Sequence, residues 1–259
     1  MPFRNYEGYL NESGHQRNVS DALAIEHPLS VLIHGEPFML TMQTPGSEED
    51  LVRGILFSEG VYKSKTIHPE IRILERSELG YVSKVEVILQ KDLMDVSQLN
   101  KRNLLSVASC GICGRTELFQ PEAAASGSSS RELPSSQFIH QMMHDLSIQQ
   151  TDFKETGGCH GAAIANKEGK LLVVREDIGR HNAVDKCIGN LLQKNALHLG
   201  HYLLVSGRVS YEIVVKCFTA GVPFLIAVSA PSSLAVDFAK ELGVTLLAFT
   251  RETRFTRYS

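Results

Sequence analysis

Tyr202-Leu203-Leu204-Val205-Ser206, Phe224-Leu225-Ile226-Ala227-Val228 and Val244-Thr245-Leu246-Leu247-Ala248-Phe249 are three nearly continuous apolar runs. Between them lie residues 211–220 and 232–242, whose apolar side chains recur at helical spacing. A strand with one face in water alternates apolar and polar residues; a strand covered on both faces need not. The alternation of strand and helix therefore predicts parallel strands sheathed by helices, an α/β arrangement. Working back from this stretch, residues 182–193 predict a helix, residues 162–165 and 171–174 a hairpin turning at Lys167-Glu168-Gly169, and residues 138–146 another helix.

The first part of the chain reads differently. Short apolar runs at 22–25, 29–33 and 38–41 are broken by His27-Pro28 and His34-Gly35-Glu36-Pro37, which predicts antiparallel strands. Ser47-Glu48-Glu49-Asp50 has the form of a capping box ahead of a helix with Leu51, Val52, Ile55 and Leu56 on one face. Two more strands are expected at 71–74 and 82–89. Residues 121–136, rich in Gly and Ser, predict a flexible surface loop.

The 259-residue chain carries a net charge of −3 with no block of Lys or Arg, so the basic stripe of a nucleic-acid binder is missing and no nucleic-acid partner is expected. The N-terminal residues lack the apolar run of a signal peptide, and no stretch reaches the ~18 apolar residues of a membrane span. A cytoplasmic protein without membrane contact is expected. Five cysteines, an odd number, argue against a disulfide framework. Cys187 and Cys217 sit in apolar helical patterns and read as inert core thiols.

Chemistry concentrates in a few stretches. Ser109-Cys110-Gly111-Ile112-Cys113-Gly114-Arg115 holds a Cys-x-x-Cys pair. A structural zinc site needs four ligands and no second pair exists, although Cys159 or His160 would be available to complete one. A dithiol redox pair is the other common meaning, but glycines after both cysteines predict a loose loop instead of the start of a helix. Uncrowded sulfurs beside Arg115 suit a reactive thiolate. Thr156-Gly157-Gly158-Cys159-His160-Gly161 precedes a strand, and its small residues permit close approach of backbone or ligand; His160 also reads well as a satisfied structural residue. Arg175-Glu176-Asp177-Ile178-Gly179-Arg180-His181-Asn182 packs charge ahead of a helix, where a site competes with a solvated, capped loop. Ser206-Gly207-Arg208 and Ser229-Ala230-Pro231 follow strands, and Phe249-Thr250-Arg251-Glu252-Thr253-Arg254 ends the last one. In open α/β sheets ligands gather beyond the carboxyl ends of strands, so these junctions point to an anionic, nucleotide-like ligand.

These motifs resemble the formate dehydrogenase accessory sulfurtransferase family (FdhD) over nearly the whole chain. The resemblance rests on Ser-Cys-Gly-Ile-Cys-Gly at 109–114, Gly-Gly-Cys-His-Gly-Ala-Ala at 157–163, Glu-Asp-Ile-Gly-Arg-His-Asn-Ala-Val-Asp-Lys at 176–186, Ser-Gly-Arg-Val-Ser-Tyr-Glu at 206–212 and Val-Ser-Ala-Pro-Ser-Ser-Leu-Ala-Val at 228–236. Thr44-Pro45-Gly46 and Gly54-Ile55-Leu56-Phe57-Ser58-Glu59-Gly60 fit as well. It implies a strand-rich domain over residues 1–107 and a three-layer, cytidine-deaminase-like domain with a mixed sheet over residues 108–259. It implies that Cys110 accepts sulfur from a cysteine desulfurase as a persulfide, with Cys113 in a lesser role. The sulfur then passes to a molybdenum bis-(pterin guanine dinucleotide) cofactor, a bound substrate destined for formate dehydrogenase. The family's cofactor-binding stretch falls on Leu247, Ala248, Phe249, Thr250, Arg251 and Glu252; His160, Arg180, His181, Ser206, Arg208 and Arg254 join it as candidates. No metal-ligand set is expected, GDP is the expected fragment ligand, and a homodimer is implied. Departures are Glu252, Thr253 and Thr256, where glycines and then Asn are usual, and His34 where Asn is common.

Two rivals remain. A zinc-dependent nucleotide deaminase uses His-x-Glu or Cys-x-Glu followed by Pro-Cys-x-x-Cys; Cys159-His160-Gly161-Ala162 has no such Glu, and the Cys-x-x-Cys pair precedes it. A non-catalytic cofactor chaperone would bind the pterin nucleotide without handling sulfur.

Overall fold

The computed structural model describes residues 2–95 and 131–259. A six-stranded mixed sheet, in the order β12-β11-β10-β9-β7-β8, forms its frame. β9 (Tyr202–Val205), β10 (Phe224–Ala227) and β11 (Thr245–Arg251) run parallel, as their apolar runs predict. β7 (His160–Ala165) is antiparallel to β9 and pairs in a hairpin with β8 (Leu171–Asp177), while β12 (Arg254–Arg257) folds back on β11.

The sheet is covered on both faces. On one side α2 (Ser136–Gln149) sets Ile139, Met142, Met143 and Leu146, spaced by three and four residues, against Ala163, Leu204, Ile226 and Leu247. On the other, α4 (Arg180–Gln193), α5 (Tyr211–Ala220) and α6 (Ser233–Glu241) cover Ile164, Leu203, Leu225 and Leu246. A short helix, α3 (Thr151–Thr156), leads into β7.

The N-terminal half adds a four-stranded sheet, β4 (Glu36–Gln43), β3 (His27–Ile33), β6 (Val82–Ile88) and β5 (Glu70–Arg76) in that order. β3 and β4 are joined by His34-Gly35, both at positive φ, the conformation of a tight hairpin turn. His34 tolerates it by placing Nε2 2.8 Å from the Leu89 carbonyl, so the departure from Asn here has a local partner. Residues 50–58 of α1 (Glu48–Ser58) are all buried, because the helix is wedged between this sheet and α4. The two helices touch backbone to backbone. A Cβ on Gly54 would stand 1.9 Å from the Asp185 carbonyl oxygen, and one on Gly189 1.8 Å from that of Asp50, so only glycine permits the crossing. One hydrophobic cluster consequently runs from the four-stranded sheet through the helices to the six-stranded one.

The structure departs from what the sequence predicts at two local points. Ser47 is in the left-handed region and its side chain makes no capping bond; the Gly46 N–H donates to the Glu48 carboxylate instead, at 2.8 Å. The helix read as residues 182–193 begins at Arg180, which puts Arg180 and His181 in its first turn. After β11 the chain turns back on itself, and Arg251 pairs with Arg254. A long hairpin of β1 (Phe3–Glu12) and β2 (His15–Ala24), not anticipated from the sequence, precedes the rest.

Candidate functional site

Cys110 and Cys113, with the stretch 109–115, lie outside the described residues, as do residues 121–130 of the Gly/Ser-rich stretch. The other candidates share one edge of the six-stranded sheet. β7 starts there with His160, β8 ends there at Asp177, and β9, β10 and β11 end there in turn. Backbone hydrogen bonds stitch the junctions into a row: Ser206 N donates to Gly161 O at 2.9 Å, Val209 N to Ala230 O at 3.0 Å, and Phe249 N to Ser229 O at 3.4 Å. Four candidates meet at the β7–β9 end of this row. The Gly207 backbone lies against His160, since a Cβ there would be 3.1 Å from Nδ1, and Arg180 and Arg208 act electrostatically on the same imidazole. Ser206 Oγ accepts from Gly161 N at 2.9 Å, which fixes the loop under the histidine.

Burial, reinforced by Arg180, Arg208 and His181, holds His160 below the usual histidine range; Asp177 opposes this. His181 is buried, with Nε2 3.0 Å from Ser210 Oγ and 3.8 Å from Glu212 Oε2. The latter distance is an electrostatic contact, too long for a hydrogen bond. Burial disfavours charge on Glu212, but the nearness of His181 and Ser210 outweighs it and holds the carboxyl below its ordinary value. His181 Nδ1, Arg180 Nε and both Glu212 oxygens are buried with no hydrogen-bond partner. Buried polar groups are rarely left so. The helices that start here, α4 after Gly179 and α5 after Ser210, have no side-chain cap at their N-termini, which point to the same edge. Ser210 and Glu212, in the Ser206–Glu212 motif, belong to this edge too, and their sequence signal is position at the start of a helix that follows a strand.

The other end of the row is more restrictive than the sequence suggests. Leu247 and Ala248 are fully buried and their side chains pack the core. Thr250 is buried, with Oγ1 donating to Ala227 O at 2.9 Å. Phe249, at φ 53°, Arg251, Glu252 and Arg254 reach the surface. Arg251 Nη1 is already engaged by Val228 O at 2.9 Å and Thr250 O at 2.7 Å.

The dense stretch 175–186 also does structural work. Asp177, wholly buried, takes Lys186 Nζ at 2.7 Å, Thr44 N at 3.1 Å, Gly179 N at 2.8 Å and Asn182 Nδ2 at 3.1 Å. Lys186 Nζ also donates to Thr44 O at 2.7 Å, and Ile178 N to Thr44 Oγ1 at 3.0 Å. The Thr44-Pro45-Gly46 motif is thus the partner of this stretch. Asp185 similarly binds Lys216 at 2.8 Å and Ser58 at 2.9 Å.

The three described cysteines are all buried. Burial pushes the Cys159 thiol up to about 11 and that of Cys187 to about 12, and raises Cys217 as well. Cys187 and Cys217 donate to the Ala162 and Val222 carbonyls, each at 3.2 Å, as core thiols do. No cluster of three or more His, Cys, Asp or Glu side chains suited to a metal occurs among the described residues. A cavity of about 750 Å³ opens elsewhere, between the start of α1, the β5–β6 turn and α3; Arg175 and Glu176 of the charged stretch line it, but none of the cysteine or cofactor-binding candidates does. Its walls carry both signs, Glu48, Glu49, Asp50, Asp152 and Glu176 beside Arg76, Arg175 and Lys186.

Comparison with known proteins agrees with this architecture. The FdhD/NarQ family model matches residues 24–259. A relative from Mycolicibacterium paratuberculosis named sulfur carrier protein FdhD is 39% identical over 249 residues, covering 92% of this chain and 90% of its own. One of the same name from Saccharolobus solfataricus is 36% identical, covering 93% and 90%. A solved structure from Desulfotalea psychrophila, described as that of a formate dehydrogenase accessory protein, shares the fold with a TM-score of 0.75 at 24% identity, over 100% of this chain and 97% of that one.

Proposed function

The chain belongs to the FdhD/NarQ family, and from that premise we propose that it is a sulfur carrier serving a formate dehydrogenase. Sulfur transfer needs a thiolate that a second protein can reach. The observation that carries the reading is the state of the cysteines: Cys159, Cys187 and Cys217 are buried, with thiols held well above neutral pH. That leaves Cys110 and Cys113 for the chemistry, and they are the pair flanked by glycine in the stretch 109–114.

In the loading step the Cys110 thiolate attacks the outer sulfur of a persulfide on a cysteine desulfurase. The donor's S–S bond breaks, a new one forms on Cys110, and the donor departs as thiolate. A persulfide is more acidic than its parent thiol, so the terminal sulfur is the nucleophile toward the molybdenum of the bis-(pterin guanine dinucleotide) substrate; its delivery breaks the Cys110 S–S bond, the metal of the substrate giving the two electrons and Cys110 departing as thiolate. Cys113 has the lesser part. The protein's own contribution to substrate binding lies at the sheet edge, where two helix N-termini without side-chain caps, the unpartnered Arg180 Nε and exposed Arg208 and Arg251 suit phosphate. GDP is the fragment that should occupy it, and the assembly is a homodimer.

Mass spectrometry after incubation with a cysteine desulfurase and cysteine should find the added sulfur on Cys110. Cys110→Ala should remove it and abolish maturation of formate dehydrogenase in cells lacking the native protein, with the fold and GDP binding unchanged; Cys113→Ala should impair maturation less. Sulfur loaded mainly on Cys159, or active dehydrogenase from the Cys110 variant, overturns the reading.

A further inference from the structure

The β1–β2 hairpin stands apart from the chemistry. Its strands of 10 residues each pair with one another and, among the described residues, with no other strand. It precedes the segment matched by the family model, which begins at residue 24. A lone two-stranded ribbon is at best marginally stable in water, so an arm of this length requires something to cover it.

The register fixes which residues share a face, because directly opposed residues point the same way and successive ones alternate. Phe3 with Ala24, Asn5 with Ala22, Glu7 with Ser20, Tyr9 with Asn18 and Asn11 with Gln16 form one face; only its base, at Phe3, Ala22 and Ala24, is half-buried against the body, with Ala24 Cβ 3.3 Å from where a Gly158 Cβ would stand, while Tyr9 farther out is 71% exposed. The outer face has five rungs: Arg4 with Leu23, Tyr6 with Asp21, Gly8 with Val19, Leu10 with Arg17, and Glu12 with His15. Tyr6 is 51% exposed, Leu23 47% and Leu10 37%, an apolar stripe on an arm in water. Arg17, Asp21 and Glu12 make no ion pair among the described residues.

The order of the rungs is self-complementary. A two-fold axis through the Gly8–Val19 rung, lying between two stacked ribbons and perpendicular to their strands, sets β1 on β1 and β2 on β2 in opposite directions. Tyr6 then lies over Leu10 of the second copy, Val19 over Val19, Asp21 over Arg17, and Arg4 over Glu12. Tyr6 on Leu10, Asp21 on Arg17 and Arg4 on Glu12 each occur twice by symmetry, apolar on apolar and charge on opposite charge, while Leu23 lies over His15 without such a match. Turning the axis along the strands instead would stack Tyr6 on Asp21 and Arg4 on Leu23. We propose that the outer face of the β1–β2 hairpin is a docking surface for the same face of a second copy of this chain. This deepens the homodimer reading by naming its surface, and rests on that reading.

The test is sedimentation of the full chain. Arg17→Asp sets Asp against Asp21 of the other copy, and Asp21→Arg sets Arg against Arg17. Each should raise the dimer dissociation constant roughly tenfold or more, the consequence of at least ~1.4 kcal/mol of like-charge opposition. The double variant Arg17→Asp/Asp21→Arg should restore it. A monomeric wild-type chain overturns both the homodimer and the surface. A dimer indifferent to the single reversals, or single losses that the double variant does not recover, overturns the surface alone.

Discussion

Asp177, Asp185 and Lys186 come from the same short stretch as Arg180 and His181, yet the two groups end in opposite circumstances. The first three are wholly or almost wholly buried and saturated with partners drawn from α5, the end of α1 and the Thr44 region. Arg180 and His181, one helical turn away, leave buried nitrogens unpartnered at the sheet edge. Charge density in a sequence therefore marks two different devices here. One is a clamp between the halves of the chain; the other is a set of donors held ready. A buried, satisfied group acts on stability, whereas a buried, unsatisfied one at an edge acts on what binds there.

The sharpest way to break this distinction is Lys186→Met. Removing the ammonium leaves Asp177 wholly buried without its counter-charge, a change that costs about 3–5 kcal/mol in comparable pairs. Urea denaturation should show that loss, while Arg180→Ala should stay within about 0.5 kcal/mol of the parent. Equal losses from the two variants would erase the difference between clamp and edge.

How much of this was legible in the sequence depends on where each strand's neighbours lie. β9, β10 and β11 were readable because burial on both faces leaves continuous apolar runs. β1, β2 and β12 were not, because little of them is buried and their polar residues give no period. The candidate residues were legible as a set, since strand-to-helix junctions collect at one sheet edge. Their division was not: Asp177 and Lys186 are told apart from Arg180 only by contacts to Thr44, which is 133 positions from Asp177 and 142 from Lys186. Nor could the run Leu247–Glu252 be split into core and surface before β12 was seen to fold back beside it.

At the edge itself, Arg180 and Arg251 make a second comparison. Arg180 Nε has no partner, whereas Arg251 Nη1 already serves two carbonyls. Arg180→Ala should weaken GDP binding by about 1.5–3 kcal/mol, the scale of a hydrogen bond to a charged group. Arg251→Ala should weaken it by less. Calorimetric titration decides, and a reversed ranking would move the phosphate site toward β11 and β12. CDP in place of GDP should bind more weakly if the guanine is read; equal affinity removes base recognition.

The smallest expected effect concerns His160, which lies between the two devices: on β7, opposite Asp177 in the register, yet beside Arg180 and Arg208. Burial and those two guanidiniums depress its folded value below that of the unfolded chain. Above the ordinary histidine range both states are neutral and the group's contribution to stability is fully present. As pH falls below it the unfolded chain takes up a proton first, so stability declines until the folded value is passed. His160→Asn should flatten that slope. An anion bound against Arg180 and Arg208 offsets the charges that depress the imidazole, so GDP should raise its value, and by linkage GDP should bind more tightly as pH falls through this window. Following the His160 ring proton by NMR with and without GDP separates the outcomes. A titration that GDP leaves unmoved would detach the histidine from the anion site and assign it to the clamp with Asp177.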